Sequence, residues 1–255
     1  AKKHLDGGGQ FVDDLTLPRM VHVAFLRSPF AHAEIKSINT NDAKKSDGVV
    51  DVFTAKEIDE VCKPWIGTLG HLGEMRSPEQ TPLAKKIARW QGEPVAVVIA
   101  DSRAQAEDAL ELIEVDWAEK EAQVDMETAL DSNSVVIHPE LDNNLFWTRT
   151  VNQGDVEKAF KEADAVVETT LDFARHTGVT LESRGIVADW NKAENKMTIY
   201  HNGQAPHMMQ HIIAKHLDLN EGLVRIVSRD VGGSFGIKVH VYPDETVSYT
   251  HLTLP

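Results

Sequence analysis

Apolar and polar positions change period several times along this chain, and each change marks a predicted element. The run 20–26 is β-branched and aromatic between turn residues, which predicts a strand that Pro29 ends or places at a sheet edge. Positions 33–38 alternate apolar and polar, as a half-buried strand does, and 48–53 predicts another strand. Thr54 then caps a short helix. Residues 63–86 mix prolines, glycines and charges without a period, which predicts a long surface loop. The unbroken apolar run 95–100 has the length of a fully buried strand. Ser102 and Gln105 form a capping box ahead of Ala106, Ala109, Leu110 and Ile113 at helical spacing, and 114–117 exits into a strand.

Residues 118–150 are acidic and polar, so a domain boundary is expected near 140. That divides the chain into 1–139, 140–246 and a tail, 247–255. Asp155 caps a second helix with Val156, Ala159, Phe160 and Ala163 on one face. Positions 166–173, 185–190 and 196–200 read as strands. Pro206 opens a third helix whose apolar face is Met209, Ile212, Ile213 and Leu217. A strand at 224–227 runs into a glycine-rich turn at 232–236. Strands and helices are mixed in both halves, so the expected class is α+β, and no internal repeat is visible.

Composition narrows the function. Apolar residues make up 42% and charged residues 26% of 255, as in a soluble globular protein. The net charge of -14 argues against nucleic acid as a partner. No apolar run spans a bilayer, and no export signal follows Ala1, although the true N-terminus need not be Ala1. The single cysteine, Cys62, reads as a structural thiol and fits a reducing cytoplasm. It cannot hold an iron–sulfur cluster, which takes four thiolates, so any cluster belongs to another chain.

The segment 229–238 carries the most chemistry. Gly232, Gly233 and Gly236 bracket Phe235 after a strand. Glycines allow positive φ and close backbone approach, and successive N–H groups in such a turn form a nest for anionic or oxo groups. Neither the phosphate-loop pattern nor the dinucleotide fingerprint fits the spacing, so on spacing alone an ordinary turn is the default reading. Gln204 lies just before the Pro206 helix, where an amide can donate and accept; a helix entry without a ligand is the default there too. His207 and His211 share a helix face, but Met208 stands where a zincin has glutamate, so solvated or capping histidines are expected. Glu182 is expected to pair with Arg175 or Arg184.

Taken in order, these segments resemble the large-subunit pattern of the xanthine dehydrogenase, aldehyde oxidase and aerobic carbon monoxide dehydrogenase family. In the first half, 9–14, 26–33, 48–53, 91–100, 105–109 and 115–117 resemble its hammerhead domain. In the second, 154–156, 176–188, 204–207 and 231–238 resemble the start of its molybdopterin-binding region. The resemblance replaces the default readings of Gln204 and of the turn. It implies a molybdenum–molybdopterin cofactor, expected in the cytosine dinucleotide form. It implies oxidation of an aldehyde, N-heterocycle or carbon monoxide with water-derived oxygen. It also implies partners: an iron–sulfur small subunit with [2Fe–2S] clusters and an FAD medium subunit, in a dimer of heterotrimers. By the same resemblance Gln204 approaches the metal's oxo ligand, Phe235 and Gly236 touch the molybdenum centre, and Gly232, Gly233 and Ser234 complete the cofactor turn. No direct metal ligand is implied.

Three departures stand out. Ser234 replaces a third glycine, Gly203 replaces a frequent threonine, and Val239 replaces the glutamate of purine-oxidising members. The run 236–243 resembles the carbon monoxide dehydrogenase-type branch. The family's catalytic glutamate and the cysteine motif of carbon monoxide oxidation lie downstream of the matched region, so this polypeptide alone is expected to be inactive. The tail 247–255 departs from the pattern and reads as non-native. Two other readings remain open: a non-catalytic stand-alone domain of the same family that binds a partner subunit or cofactor, and an unrelated α+β nucleotide binder.

Overall fold

The apolar run at 95–100 has no solvent-facing side, and the architecture follows from how its two faces are covered. The structure is a computed structural model that describes residues 2–66 and 73–250. The first half runs α1 (Lys2–Leu5), β1 (His22–Arg27), β2 (Ala33–Asn39), β3 (Val49–Thr54), α2 (Ala55–Ile58), β4 (Trp65–Ile66), β5 (Glu79–Gln80), β6 (Ile87–Ala88), β7 (Pro94–Ala100), α3 (Arg103–Leu110) and β8 (Glu114–Glu119). The second half runs α4 (Val156–Glu162), β9 (Ile186–Asn191), β10 (Lys196–His201), α5 (Pro206–His216), β11 (Val224–Val227) and α6 (Pro243–Thr250).

Strand β7 is the centre of an antiparallel sheet in the order β1-β7-β3, and all seven of its residues are buried. Successive side chains of a strand point to opposite faces. Ala96, Val98 and Ala100 pack with Ala106 and Ala109 of α3. Those helix positions are small, so helix and sheet approach closely. Val97 belongs instead to a cluster with Met197 and Ile199 of β10 and Met209 and Ile213 of α5. One apolar cluster thus joins the two halves, and a doubly covered strand is why 95–100 shows no polar alternation. A second antiparallel sheet, β6-β2-β8, and a two-stranded pair, β4-β5, complete the first half.

The second half is built on the sheet β11-β10-β9. Strand β11 is parallel to β10, with Met197 opposite Val224, and β9 is antiparallel to it. A parallel pair needs a crossover, which α5 provides, with Pro206 in its first turn. Mixed helices and strands around small sheets make the class α+β. Local signals act as expected at the helix starts. Thr54 and Glu57 form a reciprocal capping box, and Asp155 accepts the Lys158 N–H at 2.9 Å. Ser102 accepts from Gln105 N, but its hydroxyl donates to Gln105 Oε1 at 2.7 Å, so the glutamine does not reach back to the cap amide.

Three expectations need correction or division. Residues 63–86 are not a bare surface loop: they hold the β4-β5 pair, and Leu83 and Ala84 are buried. The positions 67–72 of that segment lie outside the described residues. Residues 166–173 form no strand, because among the described residues no neighbouring strand supplies a ladder. Val167 is 90% exposed and Phe173 83%, and Phe160 on α4 is 61% exposed. Of the 247–255 segment, Val247 and Tyr249 are buried on α6, and 251–255 lie outside the described residues. Among the described residues no helix is long and apolar enough to cross a membrane.

His216, at the end of α5, is buried edge-on against Trp65, with ring centroids 5.3 Å apart. Burial lowers its pKa from 6.5 to about 4, against a smaller opposing contact with the Lys63 backbone. A histidine depressed in the folded state is neutral there while the unfolded chain takes up a proton. Stability is therefore full above about pH 6.5 and falls as pH drops towards 4. Urea unfolding is expected to lose about 2 kcal/mol between pH 7 and pH 5 from this group. His216→Phe should remove that step; an unchanged pH slope in the variant would refute the assignment.

Candidate functional site

The loop after β10 and the turn after β11 lie side by side because their strands are hydrogen-bonded neighbours. Strand β10 delivers 202–205 to the start of α5, and β11 delivers 228–238. Gln204 is thereby set on the glycine-rich turn. Its Oε1 accepts from the Gly236 N–H at 3.2 Å and from the Ser234 hydroxyl, and its own N–H donates to the Lys238 carbonyl at 3.1 Å. All six residues singled out by sequence, Gln204, Gly232, Gly233, Ser234, Phe235 and Gly236, lie in this one assembly.

The turn is wound in unusual backbone. Gly233 has φ +98° and Gly236 φ +91°, and between them Phe235 has φ +48°, a left-handed conformation costly for a bulky residue. Phe235 is 78% exposed. Internal bonds run from Ile237 N to Ser234 O and from Val239 N to Gly236 O. Among the described residues, the amides of Gly233, Ser234 and Phe235 donate to no protein group. Three successive free N–H groups in an exposed turn are the donor set of an anion or oxo nest. A Cβ built at Gly236 would meet nothing within 4 Å, so that side is open.

Side chains outside the sequence candidates hold the turn. The sequence predicts that Glu182 pairs with Arg175 or Arg184, but the structure pairs it elsewhere. Its Oε2 accepts from Gly232 N at 2.7 Å and from Lys238 Nζ at 3.0 Å, and its Oε1 accepts from Val12 N at 3.4 Å. Burial raises the Glu182 pKa, but bonds from Asn202, Gly232 and Lys238 outweigh it and hold the carboxyl below its usual range. The place of Gly232 follows: a Cβ there would lie 2.4 Å from Glu182 Cβ. At Gly203, one of the three departures, a Cβ would lie 2.4 Å from the His201 ring, so the imidazole fills the space a larger residue needs. The N-terminal segment closes over the turn's entry, with Lys3 Nζ 2.6 Å from Asp230 and Gln10 N donating to the same carboxylate at 2.7 Å.

Arg184 has a different role. It makes a two-toothed contact with Asp244 at 3.1 and 3.2 Å, reaches Glu245 at 2.9 Å, and stacks 3.7 Å above the Tyr242 ring. Arg27 of β1 adds a 2.7 Å bond to Asp244. Partial burial raises the Asp244 pKa, yet Arg184 and Arg27 hold it below the usual range. This cluster ties β1 to the start of α6. A groove of about 1190 Å³ has Val12, Glu182, Arg184 and Asn202 in its walls, but neither Gln204 nor the 232–236 turn. His207 and His211 form no metal cluster: among the described residues no three His, Cys, Asp or Glu side chains converge, and His211 contacts Glu221. Cys62 is a buried member of the shared core. Sequence reading missed Lys238 and Asp230; the one available signal was a lysine two residues after a glycine turn.

Residues 6–121 match the aldehyde oxidase and xanthine dehydrogenase a/b hammerhead domain, and 137–251 match the molybdopterin cofactor-binding domain. The nicotine 6-hydroxylase large subunit of Paenarthrobacter nicotinovorans is 32% identical over 98% of this chain and 31% of that protein. The carbon monoxide dehydrogenase large chain of Hydrogenophaga pseudoflava is 31% identical over 94% of this chain and 31% of that protein. The crystal structure of quinoline 2-oxidoreductase from Pseudomonas putida 86 superposes with a TM-score of 0.91 at 32% identity, covering 97% of this chain and 31% of that one. The chain thus spans about a third of the length of these relatives. It belongs to the xanthine dehydrogenase and aldehyde oxidase family of molybdopterin-binding large subunits, with that family's hammerhead domain followed by part of its cofactor-binding domain.

Proposed function

We propose that this chain forms the leading part of a molybdenum hydroxylase large subunit and that the Gln204 loop and the 232–236 turn hold its molybdenum–molybdopterin cofactor. The observation that carries this reading is the row of three unused amides, Gly233 to Phe235, beside a glutamine locked to the same turn. They fit an oxo- or phosphate-bearing group: Gln204 Oε1 is occupied by the turn, which leaves its amide nitrogen to donate. Phe235 would exclude water from one edge of the group, and Gly236 leaves room on the open side. The bound cofactor supplies the two-electron oxidation of substrate with oxygen derived from water. The chain's own residues bind and orient it by neutral N–H donors.

Several finer points belong to the same proposal. Val239, in place of glutamate, favours an aldehyde, an N-heterocycle or carbon monoxide over a purine. The cytosine dinucleotide form of the cofactor, partner subunits carrying [2Fe–2S] clusters and FAD, and a dimer of heterotrimers follow from the resemblance, and the lone Cys62 fits a cytoplasmic location. The exposed apolar residues between 156 and 181 fit the same picture. A capped helix and a strand-patterned segment that bury nothing need a covering surface, and the rest of a longer subunit supplies it.

In the complete subunit expressed with its partners, metal analysis should find about one molybdenum per polypeptide. Gly232→Ala should cut that occupancy at least fivefold, because a Cβ forces Glu182 aside at a cost of roughly 1–3 kcal/mol. Gln204→Ala should retain metal but lose about a hundredfold in turnover, as removal of one aimed donor does. A wild-type subunit without molybdenum sinks the reading. Separately, Phe160→Lys with Phe173→Ser should change the unfolding free energy of the 255-residue chain by less than about 0.5 kcal/mol. The same pair should lower the yield of folded complete subunit severalfold; equal yields would show that nothing covers this surface.

A further inference from the structure

We propose that Glu182 and Lys238 are positioning residues of the cofactor site: their ion pair clasps the two ends of the 232–238 turn and fixes Gln204 against it. This rests on the functional reading above for its ligand, but the clasp itself is a property of the chain. Lys238 is fully sequestered, with its side chain 1% exposed, and its Nζ lies 3.0 Å from Glu182 Oε2. That same oxygen takes the Gly232 N–H at 2.7 Å. One carboxylate oxygen therefore holds the first and last residues of a seven-residue turn. The backbone closes the loop: Glu182 N–H donates to the Gly232 carbonyl at 3.3 Å, and the Lys238 carbonyl takes the Gln204 N–H at 3.1 Å.

The turn needs such a clasp. Gly233, Phe235 and Gly236 all lie at positive φ, and strained backbone persists only where its surroundings over-determine it. The exposed Phe235 ring contributes little packing. An ammonium is not buried without a counter-charge, so Lys238 is committed to Glu182 and is not a free ligand cation. Neutralising either partner leaves the other charge buried and frees the turn to relax, which spoils the row of amides without touching them.

Hydrogen–deuterium exchange on the 255-residue chain tests this directly. Lys238→Met is expected to speed exchange of the Gly232 and Gln204 amides at least tenfold while the β7 amides stay within twofold. Lys238→Arg, which keeps the charge but not the shape, should retain most of the protection; a space-filling role would favour Met over Arg. Glu182→Gln, isosteric and neutral, is the second variant should Lys238→Met fail to fold. Unchanged turn exchange in a folded variant overturns the proposal. So does a parallel rise in β7, or unfolding of both neutral variants, since either assigns the pair to the whole fold. In the complete subunit, Lys238→Met should lower molybdenum content at least fivefold relative to wild type and Lys238→Arg should restore it. Absence of metal in the wild type defeats the cofactor reading and leaves the exchange result standing.

Discussion

Everything in this fold is arranged around a strand with no wet side. Residues 94–100 are buried to the last side chain, so each face must be covered by a separate layer. One face takes α3, and the other joins an apolar cluster that includes α6, β10 and α5 from the second half of the chain. This places a single apolar cluster across the junction of two family domains. That cluster includes residues of β10 and β11. Their parallel pairing carries the 202–205 loop and the 228–238 turn to the same edge, which is where the candidate site lies. The site thus lies on a sheet that shares its core with an apolar run about a hundred residues earlier in the chain.

How much of this could be read in the sequence differs by element, for physical reasons. Strands β1, β2, β3, β7 and β8 were legible because their period is local and their neighbours satisfy it. Helices α3, α4 and α5 announce themselves through Ser102, Asp155 and Pro206. The segment 166–173 has the composition of a strand and is not one, because a strand is completed by a partner ladder and none lies beside it among the described residues. Leu83 and Ala84 were hidden in a stretch without period, since burial there comes from contact with the distant β7 sheet and not from local pattern.

The site shows the same division. Gln204 and the glycines were legible, the former through resemblance and the latter because glycine reports backbone demands directly. The partner of Glu182 was not. A carboxylate two residues before Arg184 suggests a local pair, yet Arg184 turns to Asp244, Glu245 and the Tyr242 ring. Glu182 is left facing the turn, fifty-six residues from the lysine it holds. Sequence distance carries no information about such a pair, whereas the absence of room for any Cβ at Gly232 records it in structure.

Charge adds a constraint on what the turn can do. The chain carries -14, a poor background for attracting an anionic ligand. The charged groups beside the turn are already engaged: Lys238 with Glu182, Lys3 with Asp230, and the Arg229 guanidinium with the Gln10 side chain. What remains to meet a ligand is neutral and oriented, namely the amides of residues 233–235 and the Gln204 side chain. Such donors need no counter-ion, and they act only when held at fixed angles, because an N–H bond weakens steeply as its geometry degrades. A site that relies on direction rather than net charge must be rigid. The buried ion pair behind this turn supplies rigidity without adding field in front of it, so the cation serves the ligand best by staying out of its reach.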